Sequence, residues 1–220
     1  MMMDSLRTEI CRVGRSLFER GYVHATAGNI SVRLPDEQGF LITPTDACLG
    51  FLNPQDLALV GLDGEQVSGA RASKTLALHR RIYEAEPQAG CVIHTHSSHL
   101  VALSLAGVWR EQDILPPITP YYVMKVGHVP LIRYHRPGDP AAAEAAAAAI
   151  LRAQRSGAPI RALLMDRLGP NVWHDSPANA MAVLEELEET ARLWLISDPK
   201  PAPLSDQQID ELRQHFGARW

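Results

Sequence analysis

At 220 residues, with 46% hydrophobic and 21% charged side chains, the chain has enough apolar material to bury a core and a composition unlike that of disordered segments. A formal net charge of -4 provides no basic surface, so nucleic-acid binding is not expected, and no apolar run reaches the ~20 residues that a bilayer crossing requires. Met1 to Arg7 lacks the charged-then-apolar order of a signal peptide, and Cys11, Cys48 and Cys91 show neither an even count nor C-x-x-C spacing, which points to a cytoplasmic chain whose thiols are small core residues.

Leu6 to Arg20 sets Ile10, Val13, Leu17 and Phe18 on one face of a helix that Gly21 ends. Thr26-Ala27-Gly28-Asn29-Ile30-Ser31 follows. Its small residues let backbone approach a ligand and its hydroxyl and amide groups suit phosphate oxygens, while the same string also makes an ordinary turn. Asn29 to Leu34 and Gly39 to Thr43 alternate and read as a hairpin broken at Pro35-Asp36. Thr43-Pro44-Thr45-Asp46 is a turn with the same double reading. Ser73 to Glu86 carries Leu76, Leu78, Ile82 and Tyr83 and reads as a helix with Ser73 near its N-cap. Ala72-Ser73-Lys74-Thr75 would then offer an anion free N–H groups and the charge of Lys74.

The most informative stretch comes next, where the apolar run Cys91-Val92-Ile93 leads into His94-Thr95-His96. On a strand, residues i and i+2 share a face, so the two imidazoles can converge as half of a tetrahedral metal site, or serve as a hydrogen-bonded polar strand end. A helix-like pattern begins at Ser97. Val123 to Ile132 reads as a strand, Ala141 to Arg155 as an alanine-rich surface helix, and Arg161 to Met165 as a strand. Asn179 to Ile196 is a long helix striped by Leu184, Leu187, Ala191 and Leu195, with Glu185 to Glu189 as its solvated face. Pro199 to Pro203 is an extended linker before a last helix, Asp206 to Phe216. His79 and His99 are expected to point into the core, and His128, His135, His174 and His215 to lie on surfaces or turns. The economical architecture is one α/β domain over residues 1–198, followed by the linker and helix of 199–220.

In this order, the phosphate-suited strings and Val92-Ile93-His94-Thr95-His96-Ser97 resemble the class II aldolase/adducin family, from about Leu6 to about Leu195. Thr119-Pro120-Tyr121-Tyr122-Val123-Met124, Gly127-His128-Val129-Pro130-Leu131, Arg136-Pro137-Gly138-Asp139 and the stretch Leu184 to Ala191 are similar to the subgroup that decarboxylates 3-oxo-tetronate 4-phosphates. The resemblance implies an α/β fold with a central, mostly antiparallel sheet flanked by helices, assembled as a homotetramer with sites near subunit contacts. It implies a divalent metal, zinc first, on His94 and His96, and a phosphate pocket of Gly28, Asn29, Thr45, Asp46, Ser73 and Lys74. Lys74 and Tyr121 become the catalytic candidates, Tyr121 as an acid or base.

Two positions depart from the family pattern. Thr75 stands where the aldolases carry a metal-binding, proton-transferring glutamate, and Leu168, in Arg167-Leu168-Gly169, stands where a third histidine ligand is expected. His99, Asp166 and His24 are the nearest replacements along the chain. Aldol cleavage begins with removal of a hydroxyl proton, a task for the base that Thr75 cannot be. A β-keto acid already carries its negative charge and needs an electrophile at the developing enolate oxygen, then a proton for carbon. The expected function is therefore metal-dependent decarboxylation of a 3-oxo-tetronate 4-phosphate to dihydroxyacetone phosphate and carbon dioxide. A sugar-phosphate aldolase of the fuculose-phosphate type and a catalytically silent binding module are the alternatives.

Overall fold

The computed structural model describes residues 2–35 and 38–220, so Asp36 of the expected hairpin break lies outside the described residues. Among those described, eight strands form one sheet: β1 (Asn29–Arg33), β2 (Phe40–Ile42), β3 (Ala58–Val60), β4 (Gln66–Ser68), β5 (Cys91–His94), β6 (Leu131–Ile132), β7 (Ala162–Met165) and β8 (Gly169–His174). Their order is β4-β3-β2-β1-β5-β8-β7-β6, and β6 with β7 is the parallel pair in an otherwise antiparallel sheet. The helices are α1 (Met2–Glu19), α2 (Leu76–Ala85), α3 (Ser98–Ala106), α4 (Pro140–Arg155), α5 (Pro177–Ile196) and α6 (Asp206–Phe216).

Strand alternation divides the core in two. Ile30, Val32, Leu41, Cys91, Ile93 and Val172 face one way and pack with Ile10, Val13 and Leu17 of α1, Leu100 and Leu103 of α3, and Leu184 and Leu187 of α5. Phe40, Val92, Leu163 and Trp173 face the other way, under Ile82 and Tyr83 of α2 and the alanines of α4. The alanine-rich segment is a helix, as expected, but its alanines are not a surface feature. Ala142, Ala143, Ala146, Ala147 and Ala149 are buried, and their small side chains let α4 lie close against α2.

Several expectations are corrected. The segment Val123 to Ile132 is not a strand: Tyr122–Val126 forms a wide helical turn, and only Leu131–Ile132 pairs in the sheet. Thr119 explains the difference, because its Oγ1 accepts from the Tyr122 N–H at 3.1 Å and starts the chain turning. Helix α2 begins at Leu76 rather than at Ser73, and the segment before it is tied to the sheet edge, where the Ser73 N–H donates to the Thr43 carbonyl beside a bridge between Pro44 and Ala72.

The acidic run on α5 is not all solvated. Glu188 is 3% exposed and accepts from the N–H groups of His99 (2.9 Å) and Leu100 (3.1 Å) and from His99 Nδ1 (2.9 Å). Ser97 makes no side-chain cap to α3, so a carboxylate from another helix satisfies those N–H groups. The same contact leaves His99 partly exposed, not in the core. His128 is half-buried, bonded to Asp113 at 2.9 Å and stacked on Trp220 with ring centres 4.3 Å apart.

Candidate active site

The sheet's second face carries a polar row. Asn29, His94 and Asn171 are register partners on β1, β5 and β8, so their side chains project to the same side. All three are buried, and Asn29 Oδ1 and both amide atoms of Asn171 have no hydrogen-bond partner among the described residues. Two residues along β1, Ser31 Oγ lies 2.7 Å from His79 Nδ1 and 2.9 Å from the Tyr83 hydroxyl, which ties α2 to the sheet beneath the row. His79 is fully buried, as expected, and burial together with the neighbouring His94 pushes its pKa down to about 3.

His94 is the last residue of β5, and His96 lies beyond the strand, yet their ring centres are 5.1 Å apart. His94 Nδ1 donates to the Pro170 carbonyl at 2.8 Å, which assigns the proton to that nitrogen and leaves the Nε2 lone pair free. Burial, with His96 beside it, lowers the His94 pKa to about 4; burial and His24 lower that of His96. Both rings are therefore neutral donors at physiological pH. Gly169 makes the Pro170 contact possible. It opens β8 at φ +129, and a Cβ there would come within 2.1 Å of the Thr95 carbonyl oxygen.

Around these imidazoles lies a cavity of about 310 Å³, lined by Gly28, Asn29, Thr45, Asp46, Ser73, Lys74, Thr75, His94, His96 and Leu168. Eight of the nine residues marked by the sequence thus meet in one place. Gly28 holds φ +87 with room for no side chain, since a Cβ would lie 2.8 Å from the His94 carbonyl oxygen. Lys74 Nζ is 3.9 Å from Asp46 Oδ2, both largely exposed at the mouth. Tyr121 is the exception: it is 61% exposed and does not line the cavity of its own chain.

The structure adds a wall that sequence reasoning did not assign. His135 and Arg136 through Asp139, on the loop before α4, line the same cavity with Ala142, Ala143 and Met165. His135, expected on a surface or turn, is therefore a cavity residue. The Asp139-Pro140 pair was the available signal, since Asp139 Oδ1 accepts from the Ala141 N–H at 3.0 Å and Pro140 opens α4, which fixes this loop at the helix start.

A catalytic zinc ion calls for three protein ligands. The His94 and His96 rings suit two ligands, but among the described residues no three His, Cys, Asp or Glu side chains are grouped to hold a metal ion. The Thr75 hydroxyl lies 3.0 Å from Ser73 Oγ, and Leu168 has no donor. Of the expected replacements, His99 is engaged by Glu188, and exposed His24 has its ring centre 6.4 Å from that of His96. A resident ion with the three protein ligands usual for catalytic zinc does not fit the side chains as placed.

The model for the class II aldolase and adducin N-terminal domain matches residues 8–195. A 3-oxo-tetronate 4-phosphate decarboxylase of Cupriavidus necator is 57% identical over 222 residues, covering 99% of this chain and 98% of that protein. One of Escherichia coli is 41% identical, covering 96% of each. The crystal structure of YgbL from Escherichia coli superposes with a TM-score of 0.87 at 40% identity, covering 97% of this chain and all of that one. The chain belongs to the class II aldolase and adducin family.

Proposed function

We propose that the chain is a carboxy-lyase that converts a 3-oxo-tetronate 4-phosphate to dihydroxyacetone phosphate and carbon dioxide. The observation that carries this reading is Thr75, a hydroxyl paired with Ser73 at the place in the cavity where an aldol cleavage would need a carboxylate base. A substrate whose own carboxylate delivers the electron pair has no use for one. The relatives named as decarboxylases of this substrate, similar along almost their whole length, support the choice.

The phosphate is assigned to the backbone at Gly28, the Asn29 amide, the Thr45 and Ser73 hydroxyls and the Lys74 ammonium, with Asp46 restraining Lys74. Breaking the C1–C2 bond releases carbon dioxide and moves the bonding pair through C2 onto the C3 ketone oxygen, where the positive field of Lys74 is stabilising. A proton then adds to C2 and gives the product. Tyr121 is assigned that proton transfer across a subunit contact, since it is exposed and outside its own chain's cavity. The enzyme is accordingly proposed to be a cytoplasmic homotetramer. Of the divalent cation expected from the sequence, zinc first, the chain's own side chains account for two ligands.

The test is a product assay with 3-oxo-tetronate 4-phosphates of either configuration and with fuculose 1-phosphate. Carbon dioxide and dihydroxyacetone phosphate should appear in equal amounts from an oxo acid. Release of an aldehyde without carbon dioxide would make the chain an aldolase, and absence of any turnover would make it a silent member.

A further inference from the structure

The cavity contains two imidazoles side by side, and two of the positions around them, Thr75 and Leu168, lack the donors expected there. His94 has its proton placed on Nδ1 by Pro170 and so presents Nε2, and the His96 ring stands 5.1 Å away. Among the described residues no third His, Cys, Asp or Glu side chain is grouped with these two to hold a metal ion, although His135 also lines the cavity. Thr75 pairs with Ser73, Asp46 with Lys74, and Asp139 caps α4, while Leu168 and Met165 cover the side next to the β7–β8 turn with apolar surface. Two neutral imidazoles hold a divalent cation weakly and leave at least two of four tetrahedral positions open.

We infer that this chain keeps no resident metal, and that a divalent cation enters the His94–His96 pair together with the substrate, whose oxygens complete its shell. The inference rests on the functional reading above. A 3-oxo sugar acid and its product dihydroxyacetone phosphate each place a ketone oxygen next to a hydroxyl oxygen, a pair that closes a five-membered chelate. The phosphate anchored by Gly28, Ser73 and Lys74 holds that pair inside the cavity where the imidazoles are. Cation and sugar phosphate then raise each other's affinity by the same factor, as linkage requires.

The experiment measures binding, not turnover. Protein dialysed against EDTA is analysed for zinc by mass spectrometry and titrated calorimetrically with Co²⁺, with and without dihydroxyacetone phosphate, and the sugar phosphate is also titrated into metal-free protein. Zinc should be lost on dialysis, and dihydroxyacetone phosphate should tighten Co²⁺ binding about tenfold or more, within the usual range of coupling between two ligands. His94→Ala should abolish the tightening. Leu168→His should retain one equivalent of zinc without the sugar phosphate.

Wild-type protein that keeps one equivalent through dialysis overturns the inference. So does a His24→Ala variant that binds Co²⁺ alone as poorly as His94→Ala does, because His24 would then be a third protein ligand. Dihydroxyacetone phosphate that binds yet leaves Co²⁺ affinity unchanged overturns this inference alone. If it binds in neither titration, the functional reading beneath it falls as well.

Discussion

Lys74 and His79 show how differently two polar side chains beside one cavity behave. Lys74 is two-thirds exposed, so its value lies in the charge it brings to an anionic ligand and not in stability. Hydrogen bonds to charged groups are worth about 1.5–3 kcal/mol, so Lys74→Ala is expected to lower kcat/KM for the oxo acid about tenfold to a hundredfold, with partial recovery in Lys74→Arg and little change in melting temperature. His79 is the converse, fully buried with its pKa depressed from 6.5 to about 3. As pH falls below 6.5 the unfolded chain takes up a proton on this ring and the native one does not, so stability is full above that value and is lost progressively towards pH 3. His94, depressed to about 4, adds to the loss over the same window. Urea midpoints taken from neutral pH downwards should fall, and His79→Gln should flatten that slope while lowering the neutral-pH midpoint.

At the scale of elements, α3 depends on a residue that looks like surface. Glu188 accepts two backbone N–H groups at the start of α3 from a position 3% exposed, and removing it leaves both without a protein acceptor. An unsatisfied buried group costs about 1–3 kcal/mol, so Glu188→Ala should lose at least that and Glu188→Gln less, read by thermal or urea unfolding. The periodicity of α5 did not disclose this, since Glu188 adjoins Leu187 in an acidic run and its partner lies 89 residues away along the chain. Local signals served better where the determinant was local. The hairpin of β1 and β2, strand β7 and helices α1, α4, α5 and α6 follow from alternation, stripes and caps within each segment. Strands β3, β4 and β8 were not foreseen, the first two being three residues long and β8 opening with Gly169-Pro170, which reads as a breaker.

The cavity as a whole was legible in its parts because each part has its own chemistry: small residues at Gly28 and Asn29, hydroxyls at Thr45 and Ser73, a cation at Lys74, imidazoles at His94 and His96. Arg136 to Asp139 were visible only as a motif, because their place in the wall depends on α4 lying against α2. Tyr121, exposed and outside its own chain's cavity, is proposed to act across a subunit contact. If it serves a neighbour's cavity, Tyr121→Phe should lower kcat more than KM, and mixed oligomers of Tyr121→Ala and Lys74→Ala subunits should recover activity that neither variant has alone. Sedimentation should give about four times 24.2 kDa for each.

The row of Asn29, His94 and Asn171 lies on one face of the sheet only, which makes β5 a reading frame. Its neighbours Ile93 and His94 differ by a single step, one bound for the layer under α1, α3 and α5 and the other for the cavity. Deleting one residue between Cys91 and Ile93 would move His94 into the slot of Ile93, in the layer under α1, α3 and α5, and Ile93 into that of Val92 on the opposite face. In a deletion scan this short stretch should therefore behave as a frameshift in three dimensions, null at every position, while single losses in the turn between β3 and β4 leave active protein.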